Sequence, residues 1–144
     1  DGTIDLAITV EDESSDTECF PLFVTAATGN LAPKSGTNLL FNSSSGALTA
    51  GDFVTSSDKR LKSEIEPIKE GLEVIKQFAS YTYIKGGEKE SGFIAQEVRE
   101  AIPHTVYENN EGYLSMSDRG VLAHMHKAIL EIDKRLEAIE EKLK

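Results

Sequence analysis

Apolar positions recur along this chain with two different periods, and the change of period divides it. The first 56 residues carry strand signals. TIDLAITV (3–10) alternates apolar and polar positions, CFPLFVTA (19–26) is a short apolar run, and NLLFNSSSGALTAGDFV (38–54) sets two short runs around a Ser/Gly turn. Later segments follow helical spacing. Glu66-Pro67 is a helix start with Pro67 at the first helical position, and Ile68, Leu72 and Ile75 then recur at helical intervals, predicting a helix to about Phe78. YTYIKGGEKESGFIA predicts a hairpin, with Tyr81, Tyr83 and Ile84 before a Gly86-Gly87 turn and Phe93-Ile94 after it. A short helix over roughly 95–101 is then stopped by Pro103.

The strongest periodicity lies in the last 24 residues. Leu122, Met125, Ile129, Ile132, Leu136, Ile139 and Leu143 are spaced alternately 3 and 4 apart, an unbroken heptad seam. Leu122, Ile129, Leu136 and Leu143 occupy a; Met125, Ile132 and Ile139 occupy d. Leucine at a with isoleucine at d favours three or four strands, and Arg135 at g can meet Glu140 at the following e of a parallel neighbour. A parallel homotrimer is the leading assembly; three heptads are few, and the alternative is a single helix docked on its own domain. The expected fold is therefore α+β: a β-rich N-terminal stem, then a mixed hairpin-and-helix domain ending in a long heptad helix.

Composition sharpens the division. Residues 1–56 contain nine charged residues, of which only Lys34 is basic, whereas the rest of the chain is densely charged. The expected domains are thus 1–56 and 57–144. At 144 residues and a net charge of -10 the chain offers no attraction to nucleic acid or anionic membranes. Its apolar stretches fall short of the ~18 residues of a membrane span, and the acidic start DGTIDLAITVEDE lacks the pattern of a signal peptide. The abrupt beginning reads as that of a piece of a longer chain. Cys19 is the sole cysteine, no Cys/His spacing matches a zinc site, and His104, His124 and His126 read as ordinary surface or interface residues, so no metal or cofactor is expected.

The junction itself, TSSDKRLK (55–62), reads in isolation as a charged linker. Chemistry enters if Ser57 is a nucleophile, for which Lys59 and Lys62 are the bases nearby in sequence; a lysine serves when burial favours its neutral form. SDKRLK (57–62), Ile65, IKQFASYTYI, GFIAQEVREAIP and GYLSMSDRGVLAHMHKAILEI together resemble successive blocks of a known domain. It is the C-terminal intramolecular chaperone domain of phage tail spikes and fibres of the endosialidase type, of neck appendage proteins and of the myelin regulatory factor. The resemblance covers essentially all of 57–144, and LLFNSSSGALTAGDF is similar to the β-structured stretch preceding that domain.

The resemblance implies a homotrimer that helps an upstream β-structured fibre fold, then cuts itself off in the host cytoplasm during virion assembly, leaving the part before the cut in the virion. It implies Ser57 as nucleophile and Lys62 as base, with supporting roles for Asp58, Arg60, Gln96 and Glu97. For Asp58 and Arg60 the competing reading is a surface ion pair; for Gln96 and Glu97 it is a structural role capping the hairpin. Attack by Ser57 on the preceding carbonyl passes through a five-membered ring and breaks Ser56–Ser57, whereas Ser57–Asp58 would need a four-membered one. Ser57 and Lys62 are five positions apart, roughly 140° on a helix and opposite faces on a strand. The segment must therefore turn sharply, or Lys62 must reach a serine on a neighbouring chain, and cleavage is expected to wait for trimer assembly. The competing function is a non-catalytic trimerisation cap; a receptor-binding fibre tip is disfavoured because no aromatic-rich exposed loop stands out. The polar loops around 86–91 and 108–112 are candidates for reaching along the fibre.

Overall fold

The computed structural model describes residues 12–144, and the alternating stretch 3–10 lies outside them. The chain forms two compact units, one ending at Leu61 and the other running from Lys62 to Lys144.

In the first unit the Ser/Gly turn forms as expected. Strand β1 (Leu39–Asn42) pairs antiparallel with β2 (Ala47–Ala50), with Leu39 opposite Ala50 and Asn42 opposite Ala47. The Asn42 side chain accepts the Ser45 N–H at 3.0 Å, and Gly46, at φ 73°, supplies the left-handed step that closes the turn. The CFPLFVTA run does not form the expected strand. It makes two isolated bridges, Cys19 with Phe41 and Phe23 with Lys34, because Pro21 between them has no N–H to give a ladder. No described residue before Lys62 is buried, and Phe20, Phe23, Leu48 and Phe53 stand in solvent. A two-stranded hairpin with so little burial is marginal by itself.

The second unit begins with a strap, residues 62–71, that is neither helix nor strand. The helix expected from Pro67 to about Phe78 is reduced to α1, Leu72–Ile75. Gly71 explains the late start. A Cβ built there would lie 2.3 Å from the Ala128 nitrogen and 2.7 Å from the His124 carbonyl oxygen, so the strap runs backbone against backbone on the last helix. The hairpin follows as β3 (Tyr81–Lys85) and β4 (Glu88–Gly92), turning on Gly86 and Gly87, both at positive φ. Its second arm begins at Glu88 and not at Phe93, so 88–91 is strand and not a free loop.

Helix α2 (Ala95–Ala101) matches the expected span and ends before a 3-10 turn, Pro103–Thr105. A further hairpin was not anticipated: β5 (Val106–Glu108) pairs with β6 (Leu114–Met116), its turn shaped by the Asn109 side chain, which accepts the N–H groups of Glu111 and Tyr113. The signal was present as Val106-Tyr107 and Tyr113-Leu114 flanking an Asn/Gly turn.

The chain ends in α3 (Asp118–Lys142). Val98, Ile102 and Val121 are fully buried, ringed by Val74, Phe78, Phe93, Ala101, Val106 and Met116, with Phe78 and Phe93 meeting edge to face at 5.4 Å. Each fully buried aliphatic side chain contributes about 1.5–3 kcal/mol relative to exposure, so this core is small. Helix α3 joins it through Val121, and Ala128 is buried where the Gly71 backbone lies against the helix; from Ile132 onward every residue is exposed.

Candidate functional site

The segment between Ser57 and Lys62 contains a turn. Lys59–Leu61 form a 3-10 turn, closed by the Leu61 N–H donating to the Asp58 carbonyl at 3.1 Å. The Asp58 carboxylate holds the turn from the side: Oδ1 accepts the Arg60 backbone N–H at 2.8 Å and Nε at 3.0 Å, and Oδ2 accepts Nη2 at 2.7 Å. Hydrogen bonding from the Arg60 side chain holds the Asp58 carboxyl below its usual range, and the same contact raises Arg60 above its own. Exposed pairs of this kind add little to stability, but two parallel N–H···O bonds fix geometry. Asp58 and Arg60 are thus a surface ion pair that shapes the turn. Ser57 and Lys62 are themselves exposed, and each has an interaction partner.

Glu97 is occupied within the second unit. Its Oε1 accepts the Tyr81 hydroxyl at 2.7 Å and its Oε2 the Ala79 N–H at 3.1 Å, so the first turn of α2 anchors the start of β3. Gln96, beside it, is exposed. Of the histidines, His124 lies against the Gly120 carbonyl through Nδ1 at 2.9 Å, and its ring centroid is 6.3 Å from that of His104. Among the described residues no group of three or more His, Cys, Asp or Glu side chains is placed to hold a metal, and no helix is long and apolar enough to cross a membrane.

The heptad positions form an unpartnered row on α3. Leu122 is 60% exposed, Ile129 63%, Ile132 50% and Ile139 54%. The buried positions Val121 and Ala128 lie beside the seam, within about 60° around the helix of its d residues Met125 and Ile132, and the seam residues themselves stay exposed.

One residue that sequence reasoning missed ties these elements together. Glu131 accepts the Gly71 N–H through Oε1 at 3.2 Å and the Leu72 N–H through Oε2 at 2.9 Å, and Lys127 Nζ lies 3.4 Å from Oε1. Its carboxyl is held below the usual range, first by the Leu72 N–H and then by that of Gly71. Glu131 falls at a c position of the heptads, where a glutamate is ordinary, and its partners are 59 and 60 residues away, so no local pattern marks it.

Residues 57–107 match the family described as chaperone of endosialidase, a family of self-cleaving peptidases. The resemblance drawn from the sequence blocks is therefore shown over that stretch, which begins at Ser57 and ends before β6 and α3. Among curated proteins, the long tail fibre protein Gp37 of Salmonella phage S16 is 30% identical over 77 residues, covering 46% of this chain and 10% of its own. Gp37 of Enterobacteria phage K3 and Gp37 of Enterobacteria phage T2 are each 28% identical over 107 residues, or 67% of this chain, and 9% and 8% of their own lengths. The chain thus spans a tenth or less of the curated relatives it matches.

Proposed function

We propose that residues 57–144 are a trimeric intramolecular chaperone that assists folding of an upstream β-structured tail fibre and then releases itself by a Ser57/Lys62 cut. The observation that carries this reading is the family match beginning at Ser57, with the Ser-Asp-x-Arg-x-Lys stretch intact. In the proposed reaction the Ser57 hydroxyl attacks the Ser56 carbonyl carbon while the Lys62 amine takes its proton. The C–N bond then breaks, the proton passes to the departing Ser57 nitrogen, and the resulting ester is hydrolysed by water. A lysine acts as base in its neutral form, which desolvation favours. Both residues are exposed in the single chain, so burial has to come from assembly, in keeping with a cut that reports completed folding.

Assembly through the α3 seam is supported by its exposure from Leu122 to Leu143 and by the a/d composition, which favours three strands or four. The first unit, with apolar side chains in solvent and no buried residue among those described, suits a fibre end completed by neighbouring copies.

A denaturing gel of the expressed chain beside Ser57→Ala and Lys62→Ala tests the reading. The expected result is a fragment of the mass of 57–144 that disappears in both variants. N-terminal sequencing of it distinguishes Ser56–Ser57 from Ser57–Asp58, and native mass reports the trimer. An uncut wild type that still trimerises would leave only a structural trimerisation cap.

A further inference from the structure

The strap 62–71 is bordered by open space along part of its length on α3. A cleft of about 650 Å³ opens along it between Glu66–Glu70 and His104 and His124, and another of about 480 Å³ between Pro67, Ile68 and Lys127, Leu130. Glu64 within it holds a left-handed backbone at φ 49°, a conformation that costs a non-glycine residue and persists only when its surroundings impose it. Firm attachment comes at the far end, where Gly71 abuts the α3 backbone and Glu131 accepts two successive N–H groups. Glu131 is also the last residue of α3 that is not exposed, at the point where the docked part of the helix gives way to its solvent-facing end. Seam residues Ile129 and Ile132 flank it in sequence.

We infer that Glu131 is a positioning residue for the cut, pinning the strap that begins at Lys62 to the helix that carries the trimer seam. The inference rests on the autoproteolytic reading above and adds to it the part through which assembly reaches the site. In a lone chain the turn holding Glu131 borders a helix end that the unit itself does not cover. When seam residues on both sides of it are packed, helix rotation and register are fixed there, and with them the carboxylate, the Gly71 contact and the course of the strap. A base whose backbone tether wanders by an ångström loses most of its effect.

The test compares cutting rate per assembled trimer, by denaturing gel and native mass, in the full chain and in Glu131→Ala, Glu131→Gln and Glu137→Ala, the last an exposed site on the same helix. Thr105→Ser reports what loss of core stability alone does to the rate. Amide exchange of 62–72 is followed in a Ser57→Ala background, where the chain stays whole. Glu131→Ala is expected to trimerise, to lose protection at 71–72 and to cut about tenfold more slowly or worse. Glu131→Gln, whose amide oxygen accepts one N–H, falls between, and Glu137→Ala and Thr105→Ser keep the wild-type rate per trimer. Wild-type cutting in Glu131→Ala, or an equal loss in Glu137→Ala or Thr105→Ser, overturns the role of Glu131 alone. If the alanine variant fails to trimerise, the glutamine variant decides by the same comparison. An uncut wild type overturns the autoproteolytic reading, and this role with it.

Discussion

Gly120, in the first turn of α3, is a position where helix propensity and packing oppose one another. Replacing a helical glycine with alanine gains up to about 1 kcal/mol in a helix interior and less in the first turn. Here the new Cβ would lie 1.8 Å from Cγ2 of Thr105 and 2.9 Å from its Cβ. Rotating the threonine moves Cγ2 but not Cβ, and it breaks the bond from its hydroxyl to the Ile102 carbonyl, 2.9 Å long in a residue only 4% exposed. Nor is the backbone free to retreat, since the Thr105 carbonyl accepts the Ser117 N–H at 2.9 Å. Overpacking of this kind costs about 1–3 kcal/mol, and more when neighbours cannot shift. Gly120→Ala is therefore expected to destabilise the second unit by a net of about 1–2 kcal/mol, with each kcal/mol lowering Tm by about 4–8 °C in a domain of this size. Thermal and urea unfolding by circular dichroism, in a Ser57→Ala background and at fixed protomer concentration, reads the effect. Adding Thr105→Ser removes Cγ2 and keeps the hydroxyl, so the double variant should recover stability relative to Gly120→Ala, a coupling measurable as a cycle. A Gly120→Ala chain as stable as its parent, or a double variant no better than the single one, would falsify this account of how α3 seats on the 3-10 turn.

Two further outcomes follow from the geometry. Ile132→Asp together with Ile139→Asp places charges on the exposed seam without touching the core, so native mass should show loss of the assembly and gels a suppressed cut; efficient cutting by a monomer would refute gating by assembly. The Tyr81 phenol is pushed above its ordinary range, chiefly by its hydrogen bond to Glu97 and then by burial and the nearby negative charge. Because the folded value is the raised one, the stability it lends is complete below the unfolded tyrosine value of about 10 and is lost as pH climbs through the folded value. Phenolate absorbance, taken as the difference between the parent and Tyr81→Phe, should show a midpoint that falls on Glu97→Ala; an unmoved midpoint would contradict that pairing.

Sequence alone determined the features that rest on near neighbours. The Gly86-Gly87 hairpin, the Ser/Gly turn after β1, helix α2 with its stop at Pro103 and the seam of α3 follow from backbone permissions and side-chain period, which act within a few residues. Tertiary structure decided whatever depends on contacts across the chain. Pro67 and its apolar spacing suggest a helix, but Gly71 must lie flat on α3, and the group that caps α1 is a carboxylate sixty residues further on. CFPLFVTA looks like a strand until Pro21 meets its partners. For Glu97 the sequence offered either a supporting role at the cut or a cap on the hairpin, and the fold bonds its oxygens to Tyr81 in β3 and to Ala79 just before it. Helix α3 shows the division most plainly. Its period marks an apolar row, but only the packed unit shows that burial goes to the flanking positions Val121 and Ala128 and that the row itself is left in solvent.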